Sequence, residues 1–284
     1  MNRIIKFKES IFEKIDRLFI RIDKGHLRRT SSLKLIPAFQ MRRGGKVSYA
    51  EWAYVIGIFH TLIDQNSSPK CQILDVGCGT GLLGIAAYNR VMSGGSYTGI
   101  NVNEKDVEFC RSNFKNGEYD FIHLDTYNAT YANNQQKQPI PWNLSNQSYD
   151  VITALSVWTH FNENDARYYL NEASRVLKGE GRAIISFFIL DKYYDTFLKN
   201  KSAIPQHNAL SFDWTFNADA YDSCNWKTTK WALSPEDAIA INEDGLNSLL
   251  QESGLEIDGN YPGTWKNYPG LYFQDILILK RKNA

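Results

Sequence analysis

The stretch Ile73-Leu74-Asp75-Val76-Gly77-Cys78-Gly79-Thr80-Gly81 reads as a strand that ends in a glycine loop and feeds a helix. From Cys71 to Val76 the residues are mostly apolar and β-favouring, the pattern of a strand buried on both faces. Gly77, Gly79 and Gly81 let the backbone turn sharply and approach a ligand closely. Leu82, Leu83, Ile85 and Ala86 then start a helix whose first N–H groups face the loop. A strand, a glycine turn and a helix in this order predict an open α/β fold with a ligand at the turn.

The charge beside the glycines bears on which ligand. Gly79-x-Gly81-x-x-Gly84 matches the dinucleotide fingerprint letter for letter, a weak signal by itself. Asp75, at the strand end, would repel a pyrophosphate and attract an ammonium or a sulfonium. S-adenosylmethionine (SAM) carries both. The stretch resembles motif I of the class I SAM-dependent methyltransferases, and the order of elements after it resembles that family to the C-terminus. The resemblance implies a Rossmann-like α/β fold, with a seven-stranded, mostly parallel sheet and helices on both faces. It also implies SAM as cofactor and S-adenosylhomocysteine (SAH) as product. An NAD-dependent oxidoreductase, a non-catalytic SAM-binding module and a glycine turn without a ligand are the alternatives.

Tyr97 to Ile100 reads as the second strand. Methyltransferases of this family place an acidic residue at its end to grip the ribose hydroxyls; here that position holds Asn101. An amide hydrogen-bonds both hydroxyls but lacks charge assistance, a deficit of about 1 kcal/mol. The resemblance sets Val102 against the adenine ring. Asn103 caps the next helix with Asp106 three residues on, Val107, Cys110 and Phe114 form its inner stripe, and Gly117 is expected to end it. Phe121 to Leu124 reads as the third strand, ending at Asp125. The resemblance assigns Asp125 to the adenine amino group; a turn carboxylate is the plainer reading. Thr126, Leu155 and the loop residues Gly77, Cys78, Gly79 and Gly81 complete the implied cofactor set. Between Tyr127 and Gln147 a long Asn- and Gln-rich surface loop is expected, with Tyr127, Tyr131, Ile140 and Trp142 available to pack.

Tyr149 to Leu155 reads as the fourth strand, and Ser156-Val157-Trp158-Thr159-His160-Phe161 follows at its carboxyl end. Ligands of open α/β sheets bind at that edge, so Trp158 and His160 are expected near the transferred methyl group. An alcohol acceptor needs a base, and an imidazole titrates near neutral pH, which makes His160 the candidate. A histidine that caps or packs is the plain alternative, and Asp191 is a second possible base. Asn162 and Asp165 cap the following helix, Gly179 is expected to stop it, and Arg182 to Phe188 reads as the fifth strand. The (Asn/Asp)-Pro-Pro-aromatic loop of amine methyltransferases is absent after the fourth strand. No carboxylate stands from Ser156 to Phe161, which argues against a divalent metal there.

Residues from about 190 to 234 lie outside the shared core and hold Tyr193, Tyr194, Phe212, Trp214, Phe216, Tyr221, Trp226 and Trp231. Inserted after a strand's carboxyl end, they are expected to overhang the site as an aromatic lid, with Trp214 against substrate. A satellite hydrophobic cluster is the alternative. Asn242 to Ser253 reads as a helix ended by Gly254, and Leu255–Tyr261 with Leu271–Lys280 as the final strand pair.

Upstream, Glu9 to Asp23 has helical spacing, with Ile11, Ile15, Leu18 and Ile22 on one stripe. The first reading is an extra helix packed on the domain; dimerisation or a membrane surface is the alternative. Arg42-Arg43-Gly44-Gly45 is either a solvated turn or a loop closing on an anion, and Arg43 is the substrate-binding candidate. Glu51 to Ile63 reads as a helix preceding motif I. The division is an N-terminal helical extension and lid loop over residues 1–45, and a methyltransferase domain over 46–284.

A formal net charge of +1 offers no broad basic field for nucleic acid. Cys71, Cys78, Cys110 and Cys224 form no C-x-x-C pair and read as reduced thiols in a cytoplasmic protein. No run of about 20 apolar residues exists, so no membrane span or membrane partner is expected. A homo-oligomer stays open. The expected activity is metal-independent methyl transfer from SAM to a small molecule, at an oxygen of a sugar or secondary metabolite.

Overall fold

The structure is a computed structural model that describes residues 2–44, 47–126, 138–201 and 213–282, with the side chains of 2–9 left out. Tyr127, Tyr131 and Phe212 lie outside the described residues.

Helix α1 (Asn2–His26) and two short 3-10 turns lead into α2 (Tyr49–Gln65). There follow β1 (Gln72–Val76), α3 (Leu82–Ala86), α4 (Tyr88–Met92), β2 (Ser96–Asn101), α5 (Glu104–Asn113), β3 (Glu118–His123) and β4 (Tyr149–Ala154). Then come α6 (Glu163–Val176), β5 (Leu177–Phe187), β6 (Ile189–Leu190), α7 (Lys192–Asn200), β7 (Phe216–Ala220), β8 (Ser223–Thr229) and β9 (Ile239–Asn242). Helix α8 (Glu243–Ser253), β10 (Leu255–Tyr261) and β11 (Asp275–Arg281) close the chain.

Seven strands form one sheet in the order β10-β11-β5-β4-β1-β2-β3. The pairs among β1 to β5 are parallel, while β11 runs antiparallel to both β5 and β10. Strand pleating sorts the core into two layers. Ile73, Val151 and Ile184 join the α2 and α5 side, and their neighbours Leu74, Ile152 and Ile185 join the α6 and α8 side. Strands with helices on both faces are apolar throughout, as the unbroken run before Asp75 predicts. The chain reverses its winding between β1 and β4, which opens a crevice at their carboxyl ends.

Several local expectations are corrected. Gly179 does not stop α6: the helix ends at Val176 and β5 begins at once, with Gly179 inside that strand. Gly117 does not end α5, whose last turn closes at Phe114; it turns the chain into β3 with a φ of +84°. Among the described residues the insertion's aromatics form no lid. Its strands β7 and β8 join β6 and the later β9 in a second sheet, β6-β9-β8-β7. Trp214, Phe216 and Trp231 gather with Phe188, Tyr194, Trp265 and Phe273 in their own hydrophobic cluster, the satellite alternative.

The stripe of α1 is also turned the other way. Ile20 and Asp16 face the domain, Phe12 packs on Phe39 and Phe19 on Tyr49. Ile11, Ile15, Leu18 and Ile22 face outward. A buried bidentate pair anchors the helix: Arg42 Nη1 and Nη2 donate to the Asp16 carboxylate at 3.1 and 3.0 Å. Arg42 further donates to the Pro37 and Val47 carbonyls, so its charge is spent on holding α1.

Candidate functional site

Asp75 stands one residue before the end of β1 and is only 1% exposed. Tyr97 Oη donates to Oδ2 at 2.5 Å and Thr153 Oγ1 to Oδ1 at 3.0 Å. Burial pushes its pKa up to about 7, against the pull of those two hydrogen bonds. After it the loop folds back on β2, where the Gly77 and Cys78 amides both donate to the Ile100 carbonyl, at 2.8 and 3.1 Å. Gly77 has a φ of +72°, and a Cβ there would lie 2.5 Å from the Val157 methyl. Gly81 caps α3 in the left-handed region, and a Cβ there would strike the Phe114 ring at 2.5 Å. At both positions only glycine meets the backbone and the close approach together.

The chain before α2 straps down this loop. Thr80 Oγ1 donates to the Met41 carbonyl. Arg43 donates from Nε and Nη2 to the Asp106 carboxylate, at 3.1 and 2.8 Å. Asp106 is the N3 residue of α5, whose cap Asn103 accepts from the Lys105 and Asp106 amides. Arg43 therefore stands in the cleft wall with its charge already matched by Asp106.

Past β4, Ser156 takes a φ of +61° and is pinned from several sides. Its amide donates to Ser186 Oγ at 2.7 Å, Gln274 Nε2 donates to its Oγ at 2.9 Å, and Ser186 Oγ donates to Gln274 Oε1 at 2.7 Å. His160 Nε2 lies 3.4 Å from the same Ser156 hydroxyl. Its Nδ1 lies 2.6 Å from the Glu236 carbonyl, an acceptor only, so Nδ1 carries the proton and donates. In the neutral ring the lone pair then belongs to Nε2. Asp165 reaches the same space, and burial pushes its pKa up to about 6, with Glu236 adding to the rise.

These parts enclose a cavity of about 220 Å³ at the carboxyl edge of the sheet. Among the residues expected for the cofactor, Asp75, Gly77, Cys78, Gly79, Asn101, Val102, Thr126 and Leu155 line it. His160 and Arg43 line it too. Gly81 lies just behind, at the start of α3. Asp125 does not line it: the side chain is exposed, while its neighbour Thr126 turns inward. Trp158 is corrected as well. It is 3% exposed, donates from Nε1 to the Ala166 carbonyl, and packs on Phe161 and Phe187. Trp214 sits in the satellite cluster, in contact with Phe188, Trp231 and Phe273.

The aromatic wall comes instead from Trp142, Phe161 and Tyr169. Tyr169 stacks on Trp142 at 5.8 Å and on Phe161 at 5.2 Å. The signal for it was present: Trp142 breaks a run of polar residues, and Tyr169 sits one residue off the apolar stripe of α6. Trp142 Nε1 is buried with no hydrogen-bond partner among the described residues. An unmet donor in the wall, glycines packed too tightly for side chains, and a carboxyl group with no cation beside it among the described residues all fit a polar, cationic nucleoside. Asp75 and Asn101, near the ends of adjacent strands, both line the cavity and could hold it. No three His, Cys, Asp or Glu side chains come together among the described residues in a way that could hold a metal ion.

A family model described as a methyltransferase domain matches residues 67–234. An O-methyltransferase from Pyrenophora dematioidea is 34% identical over 126 residues, which is 44% of this chain and 42% of that protein. The phthiotriol/phenolphthiotriol dimycocerosates methyltransferase of Mycobacterium tuberculosis is 28% identical over 130 residues, 44% of this chain and 41% of its own. The chain thus matches about two fifths of the length of these curated relatives. Among solved structures, one from Pyrococcus horikoshii has a TM-score of 0.52 at 13% identity, over 82% of this chain and 92% of that one. A SAM-dependent methyltransferase from Leishmania major has a TM-score of 0.50 at 12% identity, over 88% and 82%. These structures share the fold.

Proposed function

The chain belongs to the SAM-dependent methyltransferase family, and from that premise we propose that it methylates a hydroxyl oxygen on a small molecule with a flat, apolar body. The observation that carries the reading is the tether on His160. With Nδ1–H held by the Glu236 carbonyl, the ring presents a basic Nε2 beside Ser156 in the cleft wall.

When bound, SAM supplies a methyl group on a cationic sulfur that is already a good leaving group. The protein's share is alignment, which brings large rate gains by itself, and removal of one proton. The stacked faces of Trp142, Tyr169 and Phe161 hold the acceptor's apolar body. His160 Nε2 takes the hydroxyl proton as the oxygen gains its new bond to carbon. Asp165, with a pKa near 6, is ionised at neutral pH and favours the imidazolium that results. Asp75 and Asn101 orient the cofactor at the ends of β1 and β2. The relative named as an O-methyltransferase supports an oxygen acceptor.

The test separates binding from turnover. Calorimetry with SAH and with NAD comes first, followed by methylation assays on phenolic and alcoholic acceptors. SAH binding with turnover is expected, and His160→Ala is expected to lower turnover about a hundred-fold or more while SAH affinity stays unchanged. Equal turnover in His160→Ala removes the histidine's role. SAH binding without turnover on any acceptor leaves a non-catalytic binding module, and NAD binding with indifference to SAH removes the reading altogether.

A further inference from the structure

Helix α1 keeps its apolar residues on the wrong side for a packed helix. Ile11, Ile15, Leu18 and Ile22 are 43%, 61%, 61% and 58% exposed. Their spacing makes one continuous stripe along the outer face of the helix. Lys14 and Arg21 stand exposed along one border of that stripe. The acids are placed the other way. Asp16 is buried against Arg42, and Glu13 and Asp23 are half-buried on the domain side. Charge follows the same division: residues 2–29 hold nine Lys and Arg against four Asp and Glu, within a chain of 32 against 31.

We propose that α1 is a docking helix for a membrane surface rich in anionic lipid, with the outward stripe entering the headgroup layer and the basic border facing the phosphates. Such a helix needs a strong apolar face, a basic polar face and low overall hydrophobicity, and α1 has all three. It needs no span, and no helix of the described residues is long and apolar enough to cross a membrane. The border charges favour this occupant over a second copy of the chain. A second copy would bring the same Lys14 and Arg21 to the seam, and among the described side chains of α1 no exposed acid stands ready to meet them. The docked helix is coupled to the cleft, because Arg42 anchors α1 and the adjacent Arg43 forms part of the cleft wall.

The experiment is co-sedimentation of the full chain with vesicles of phosphatidylcholine alone and of phosphatidylcholine with phosphatidylglycerol. Binding to the anionic vesicles only is expected, weakening with added salt. The paired substitution Lys14→Gln with Arg21→Gln is expected to weaken it about thirty-fold, two contacts of about 1 kcal/mol each. Leu18→Asp is expected to abolish it while leaving the thermal midpoint and SAH affinity unchanged, since the side chain touches no core. Equal binding to neutral vesicles, or no binding to either, overturns the proposal. A dimer that Leu18→Asp splits, seen by sedimentation equilibrium without vesicle binding, overturns it in favour of a second copy. None of these readouts depends on which acceptor is methylated.

Discussion

Asp75 lies one residue before the end of β1 and Asp275 begins β11, and both carboxyl groups lie buried at the same edge of the main sheet. Asp275 meets a complete set of donors. The amides of Gly263 and Ile189, the Trp265 indole and the Lys266 ammonium all reach it within 2.9 Å. Asp75 meets two hydroxyls and no cation among the described residues. The first arrangement ties the second sheet to the first and is finished by folding. The second leaves a carboxyl group whose ionised form has no cation to match it among the described residues. A buried carboxylate by itself says little about role; the completeness of its partners separates architecture from binding.

Removing the cation from the finished site should do the most damage. Lys266→Met leaves Asp275 as an unpaired buried charge and is expected to cost about 3–5 kcal/mol, read as a shifted denaturant midpoint. Neutralising the carboxylate of the unfinished site should have the opposite sign. Folded Asp75 keeps its proton up to about pH 7, while an unfolded aspartate loses it near about pH 4. Between those values the folded state binds more protons, so stability falls as pH rises through the window. Asp75→Asn is expected to remove that slope and to gain up to about 4 kcal/mol above pH 7. It is also expected to weaken SAM binding on the order of a hundred-fold by calorimetry. A loss of stability in Asp75→Asn would place Asp75 with Asp275 as a structural group.

A smaller effect sharpens the contrast in the wild-type chain. A cation favours ionised Asp75, so SAM affinity is expected to rise with pH through about 7 and then level off. Flat affinity from pH 6 to pH 8 would break the link between this carboxylate and the ligand. The smallest change is expected at the neighbouring strand end, where Asn101→Asp restores charge assistance to the ribose contact. It should tighten SAM binding about five-fold.

Much of the parallel sheet was legible because β1, β4 and the second half of β5 are apolar runs, and the caps Asn103 and Asn162 act where the sequence places them. The second sheet was not. Its strands are short and rich in Asn, Asp and Thr, and the β7–β8 register shifts twice, which erases alternation. Aromatic residues in the insertion indicated a cluster without saying what it faces. On α1, periodicity gave the stripe and could not give its direction, because packing inward and pointing outward leave the same spacing. The cleft's own residues divided similarly. Asp75 and the glycines carry a signature in the chain, whereas Ser156 and Gln274 meet across 118 positions, a pairing only the folded sheet creates.

Strand β5 does not stop at the boundary between the sheets. The chain runs on through Phe188 into β6, whose partner β9 adds a further bond, the Ile241 amide donating to the Phe188 carbonyl. With the Asp275 knot beside it, this makes the four-stranded sheet a rigid outrigger and not a hinged door. On the function proposed above, acceptor choice is then written in the contour of the Trp142, Phe161 and Tyr169 wall, and altering it calls for recarving that wall residue by residue.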